Sequence, residues 1–248
     1  MCLNTYLLDN KIMKTIFHPA GERGFASRGW LKSYHSFSFS QFYDENKMNF
    51  GLLRVLNDDF VEQGMGFGAH GHDNMEIVSI PLSGALKHND STGREKVINQ
   101  GDVQIMSAGS GIQHSEINNS KTEPVKFLQI WIMPKEKDIE PRYEQKTFLE
   151  EDKHNKFLTV VSPEKGGANI WINQDAYFSM ANLDANTNLE YQLINKNHGI
   201  YVFVLEGEIE LADHNLKERD ALGIYEVEKV NILAKAETKL LVIEIPMS

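Results

Sequence analysis

At 248 residues the chain has room for one large or two ordinary domains, domains commonly running to roughly 100–200 residues. An apolar fraction of 41% and a charged fraction of 24% exclude a disordered or fibrous chain. Its formal net charge is −10 and its lysines and arginines are scattered, not gathered in a stripe, which argues against direct binding to nucleic acid.

The first residues, Met1 to Asp9, lack the basic region, apolar run and cleavage site of a secretory signal. Met13-Lys-Thr-Ile-Phe17 would make a natural chain start, so residues 1–12 read as an extension. Cys2 is the single cysteine, which rules out an intrachain disulfide and a multi-thiolate metal site. Any metal must therefore be held by histidine and carboxylate. No stretch approaches the ~20 apolar residues of a membrane span. A cytoplasmic protein without membrane contact is expected.

Helical periodicity is weak, whereas short runs of β-branched and aromatic residues recur between Gly, Asn, Asp and Pro. Strands are predicted at Phe50–Leu56, Glu76–Leu86, Asp102–Met106, His114–Asn118 and Val125–Met133, then at Phe157–Val161, Ile200–Leu211 and Thr238–Ile245. Many short strands with turn signals indicate an all-β barrel or sandwich. Between the two groups, Leu149–Lys156 is polar and without apolar spacing, which makes it the linker between domains at 1–148 and 149–248. The halves echo each other: Ile80-Pro-Leu-Ser-Gly84 and Gly101-Asp102 correspond to Val204-Leu-Glu-Gly207 and Arg219-Asp220. A glycine ending an apolar strand is also what a tight turn needs, so the echo alone is weak.

The chemistry concentrates in two short segments. His70 and His72 stand two apart in Gly68-Ala-His-Gly-His-Asp73, so an extended backbone points both imidazoles to one face. His114 and Glu116 repeat the spacing in Gln113-His-Ser-Glu-Ile117. A lone His-x-His in a strand is more often a hydrogen-bonded pair than a metal site, but two such pairs in one domain reverse that reading. Four such ligands on an octahedral ion leave two positions open for substrate, dioxygen or water. Nitrogen and oxygen ligands without thiolate suit one divalent transition metal: Fe(II), Mn(II), Ni(II) or Zn(II).

Gly64-x5-His70-x-His72-x3-Glu76, followed by Gly84, resembles the first cupin motif, and Gly101-x5-Ser107-x-Gly109 leading to His114 and Asn118 resembles the second. The chain departs from the pattern in three places. Gly84 comes one residue late, Ser107 stands where proline is usual, and two extra residues precede His114. The pairing of His114 with Glu116 resembles the ligand set of the pirin family, where the carboxylate comes from the second motif. That resemblance extends over Arg23-Gly-Phe-Ala-Ser-Arg-Gly-Trp-Leu31, His35-Ser-Phe-Ser-Phe-Ser-Gln-Phe-Tyr-Asp44, Met106 to Glu116, Gln129-Ile-Trp-Ile-Met-Pro134 and Pro141-Arg-Tyr-Glu144. It implies a bicupin, two antiparallel β-barrels of jelly-roll type packed face to face, with metal, Fe(II) foremost, only in the first. Metal ligands at His70, His72, His114 and Glu116 follow, with Glu76 outside the set.

The same resemblance implies a dioxygenase similar to the quercetin 2,3-dioxygenases, taking a small aromatic substrate and dioxygen. Glu116 would then be both ligand and catalytic base, the acidic group placed to accept the proton of a flavonol hydroxyl. The alternative it implies is a non-enzymatic, iron-dependent redox sensor that binds a regulatory protein partner. In the second half no His-x-His occupies the corresponding positions near Leu193 to Lys196, so His198 and His214 read as surface or structural residues. Phe37, Phe39, Met48, Phe50, Phe67 and Met106 are candidates for an apolar pocket over the metal, against a default of ordinary core.

Overall fold

The computed structural model describes residues 13–248, so the expected extension at 1–12 lies outside the described residues. Two 3-10 turns, Ala20–Glu22 and Glu150–Lys153, are the helical elements among them, and the remaining regular structure is β-strand in four sheets.

The first half stacks a seven-stranded sheet on a four-stranded one. In spatial order the large sheet runs Arg142–Thr147, Asp102–Ser107, Glu76–Ser83, Val125–Ile132, Leu53–Val61, Leu31–His35, Gly24–Ser27. Gly66–His72, Ile112–Asn118, Ala85–Asp90 and Glu95–Asn99 form the small one. The second half repeats the plan, with seven strands centred on His198–Glu206 and Thr238–Pro246, and four centred on Lys229–Ala234 and Glu208–Leu211. Each half is thus a jelly-roll-like pair of facing sheets; the sheets do not close into barrels.

The runs predicted as single strands at 76–86 and 200–211 are each two strands, broken at Gly84 (φ +75°) and Gly207 (φ +90°). A left-handed backbone there turns the chain from the large sheet into the small one. The internal echo continues at the next turns. Asp102 accepts the Asn99 N–H at 2.8 Å and Asp220 accepts the Lys217 N–H at 2.9 Å, each side chain closing the turn three residues before it.

Strand alternation sends every second side chain of a large sheet inward, and its neighbours outward to the other half. The outward sets, among them Val78, Ile80, Ile105, Leu128 and Ile130, merge with Val161, Phe178, Tyr201, Phe203 and Ile243 into the largest apolar core of the molecule. The two halves are therefore packed large sheet to large sheet, and each fully buried Leu, Ile or Phe contributes about 1.5–3 kcal/mol. Phe37 and Phe50 belong to this core, while Met106 packs with Ile77, Ala108 and Ile112. A strand that composition does not reveal, Lys14–His18, pairs with Ala221–Tyr225 of the second half before the chain enters the first. His18 Nδ1 lies 2.8 Å from the Tyr201 hydroxyl, and Ala20 N–H donates to Asp220 at 2.7 Å.

Candidate metal centre

The two histidine-bearing segments are neighbouring strands of the small sheet. Their antiparallel register sets His114 opposite His70 and Ile112 opposite His72, so all three imidazoles leave the same face. Ring centroids are 4.5 Å apart for His70 and His114, 4.8 Å for His70 and His72, and 5.0 Å for His72 and His114. One nitrogen from each ring lies within 4.8 Å of the others, a spacing that ligands about 2.1 Å from a shared ion require. His70 Nδ1 donates to the Gly68 carbonyl at 2.8 Å, which leaves its Nε2 as a lone pair. His114 is buried, and neither of its ring nitrogens has a partner.

Bare buried imidazole nitrogens are costly unless something binds them, so the residues present fit a divalent ion. Burial, with the neighbouring imidazoles, pushes His72 down to about 4 and His114 down to about 3. Both therefore stay neutral, as ligands must, well below neutral pH.

Glu116 comes from the same strand as His114 but reaches the site differently. The register slips between them, so that Glu116 stands opposite Phe67. One carboxylate oxygen accepts Ser79 Oγ at 2.9 Å and the other accepts Gln129 Nε2 at 2.5 Å, which fixes the group in the cavity floor. A tight cluster joins Glu116 with His114 and His88, whereas His70 and His72 cluster with His114. His114 is thus the hinge between two overlapping ligand sets. His88, which sequence reasoning missed, is fully buried with Nδ1 unpartnered and Nε2 held 3.0 Å from Asp90.

Gly66 shapes the slip. A Cβ there would sit 2.2 Å from the Glu116 carbonyl oxygen and 2.5 Å from Ile117 Cα. Gly66→Ala is therefore expected to pry the two ligand strands apart, lowering stability by about 1–3 kcal/mol and weakening metal binding. Thermal denaturation with a metal titration checks both.

The site opens into a cavity of about 300 Å³ lined by His70, His72, Glu116, Phe39, Phe67 and Trp131, with Ser33, His35, Asn57 and Asp59 on its polar wall. Of the apolar candidates only Phe39 and Phe67 line it; Trp131, set edge-on to His72 with centroids 5.0 Å apart, was missed. The floor follows from sheet register. His35, Asn57, Gln129, Ser79, Gln104 and Gln145 stand side by side on successive strands, a polar row across the inner face.

Glu76 follows the other parity. It shares the outward side of its strand with Val78 and Ile80, and accepts Ser107 Oγ at 2.8 Å and the Asn173 N–H of the second half at 3.2 Å. It ties the halves together and stays outside both ligand clusters. Burial pushes its carboxyl up to about 7. A raised carboxyl pKa contributes stability that is full below the ordinary value and is lost as pH rises through about 7. Glu76→Gln keeps an acceptor without the charge, so it is expected to gain about 1–3 kcal/mol on wild type between pH 5 and pH 8. Urea denaturation at the two pH values reads the difference.

In the second half the equivalent interior is filled by Ala181, Leu183, Tyr191, Val202, Val204 and Ile232. His198 there is buried with Nδ1 3.2 Å from Glu244, and His214 stacks on Phe17. Among the described residues, the buried side-chain polar atoms without a hydrogen-bond partner all belong to the first half except His198 Nδ1.

Paired jelly rolls with a histidine cluster on the small sheet of the first define a two-cupin protein with a candidate metal site. Comparison with known proteins sharpens this. The pirin family model matches residues 17–132, and a model described as the quercetinase C-terminal cupin domain matches 159–245. A quercetin 2,3-dioxygenase of Escherichia coli strain K12 is 38% identical over 227 residues, covering 92% of this chain and 96% of that protein. A pirin-like protein of Caulobacter vibrioides is 37% identical, covering 91% and 97%. The crystal structure of bacterial pirin YhhW from Escherichia coli in complex with nickel(II) superposes with a TM-score of 0.90 at 36% identity, covering 95% of this chain and all of that one. The chain belongs to the pirin family.

Proposed function

We propose that this chain is a metal-dependent dioxygenase that opens a flavonol or a related hydroxylated aromatic ring. The observation that carries the reading is the trio of His70, His72 and His114, with both His114 nitrogens bare, at an aromatic-walled cavity of about 300 Å³ that His70 and His72 line. Such a cavity suits a flat ligand of three rings. The names of the relatives support the same reaction class.

In this reading His70, His72, His114 and Glu116 hold one divalent ion, Fe(II) being favoured and Ni(II), Mn(II) and Zn(II) compatible with the donors. When bound, the ion supplies charge stabilisation for an ionised hydroxyl and access to dioxygen chemistry. Phe39, Phe67 and Trp131 stack against the rings and keep water out of the cavity. Glu116 takes the proton of the flavonol hydroxyl; Ser79 and Gln129 hold its carboxylate in place for that transfer. The products are carbon monoxide and a ring-opened ester that carries both atoms of dioxygen.

The test is incubation of purified, iron- or nickel-loaded protein with quercetin under air. Loss of the flavonol with one carbon monoxide per quercetin is the expected result. A flavonol stable under these conditions, together with recovery of a protein partner only with ferric protein, would instead establish the non-enzymatic regulator.

A further inference from the structure

We propose that Asn57 and Asp59 form a hydroxyl-recognition wall that selects an aromatic ring carrying hydroxyls beyond the one presented to the metal end of the cavity. The inference rests on the reading of this cavity as a flavonol site and names the residues that set its preference.

Asn57 and Asp59 are two apart on the strand Leu53–Val61, so both side chains leave its inner face. The next strand sets His35 opposite Asn57 and Ser33 opposite Asp59, and all four residues line the same cavity as His70, His72 and Glu116. Ser33 Oγ and His35 Nε2 lie 2.8 Å apart, which occupies that pair. Asn57 Oδ1, Asp59 Oδ1 and His35 Nδ1 are left buried with no partner.

A folded chain rarely leaves one such atom unmet, and here three belong to residues that line one cavity, just beneath its surface. Asp59 belongs to neither group placed to hold an ion, so the metal does not account for its carboxylate. Two of the three atoms are oxygens that accept, and their counterparts on a ligand are O–H donors. The rest of the lining combines Ala26, Leu31, Phe39, Phe67 and Trp131, which suit the faces of a ring, with Arg28, Ser40 and Gln129, which add polar groups at its edge. The matching ligand is a polyhydroxylated aromatic.

The environment of Asp59 is consistent with this role. Burial, with the negative charges of Asp58 and Glu116 nearby, pushes its carboxyl up to about 7, while Ser33 draws it the other way. Near neutral pH the group is then available both as acceptor and as donor toward a phenol. Such a carboxyl is a poor structural element, because an apolar side chain of the same size would avoid its desolvation. A site that rejects ligands lacking a hydroxyl gains its selectivity from this kind of unpaired polar atom.

The experiment measures binding of quercetin and of 3-hydroxyflavone, which keeps the metal-facing hydroxyl and lacks the others. Metal-loaded protein is titrated calorimetrically without dioxygen, as wild type, Asp59→Leu, Asn57→Leu and Asp59→Asn. Wild type is expected to prefer quercetin by about tenfold or more. In Asp59→Leu and Asn57→Leu that preference should shrink to about twofold. Asp59→Asn, which retains the acceptor oxygen, should restore most of it. Asp59→Leu is also expected to melt no lower than wild type, which a structural carboxylate would not allow. Should it fail to fold, Asn57→Leu carries the comparison alone.

An equal preference in wild type and both leucine variants, or none in wild type, overturns the inference and leaves the wall as a water site. The reading of the function is tested separately by admitting air. Protein that binds with the expected preference but consumes no flavonol refutes the dioxygenase and keeps the wall. Turnover with unchanged preference does the reverse.

Discussion

His114→Ala is expected to abolish stoichiometric metal binding and to lower flavonol turnover by at least about a thousandfold, while the protein stays folded. His114 is shared by both ligand clusters, so its removal dismantles whichever set the ion uses. Its ring nitrogens hydrogen-bond to nothing in the protein, so no partner is orphaned when the ring is lost. The stability cost is confined to lost packing, about 1–3 kcal/mol for a buried ring beside other polar side chains. Metal analysis after dialysis and a thermal melt separate the two effects. A variant that keeps its ion would place the metal elsewhere, and one that unfolds would make His114 structural.

Glu116→Gln is the second large effect. The amide has the shape of the carboxylate but neither its charge nor its basicity. Metal affinity is expected to fall about 10–100-fold, and turnover by about a hundredfold or more, since the variant loses the proton acceptor. Ser79 and Gln129 both donate to Glu116 in wild type, so one of them must turn away from the amide nitrogen of the variant. Quercetin affinity should change much less than kcat, which distinguishes a base from a residue that only shapes the cavity. A variant whose turnover matches wild type would leave Glu116 as a structural carboxylate.

The histidine-bearing segments were legible because their information is local. An i, i+2 pair fixes which side chains share a face of a strand, whereas the glycines around His70 and His72 hid that Gly66–His72 is a strand. The position of Glu76 was harder. Its strand is apolar on both faces, Ile77 and Val78 alike, so alternation in the sequence could not say which face met the metal and which met the other half. The sequence resemblance placed Glu76 outside the ligand set, and its hydrogen bond to Asn173 supplies the physical reason.

Beyond the candidate ligands, only Phe39 and Phe67 of the cavity wall were legible, and its polar side was not. His35, Asn57 and Gln129, which line the cavity, continue into Ser79 and Gln104 beyond it; the five come from five different strands, and only the register between them brings the row together. His88 likewise meets Glu116 only because its strand Ala85–Asp90 pairs with Ile112–Asn118. The strand Lys14–His18 crosses to a partner some 200 residues away, a long-range pairing that no window of sequence records. Phe37 and Phe50 show the same limit: aromatic residues in a loop before a strand gave no sign that they would fill the seam between the halves instead of the pocket.

The most direct test follows dioxygen uptake as apo-protein is titrated with Fe(II) in the presence of quercetin. Uptake should rise linearly and stop at one ion per chain, with one dioxygen consumed per carbon monoxide released, and His114→Ala should give none. Fully occupied protein that takes up no dioxygen, or His114→Ala protein that takes it up as wild type does, would contradict the account.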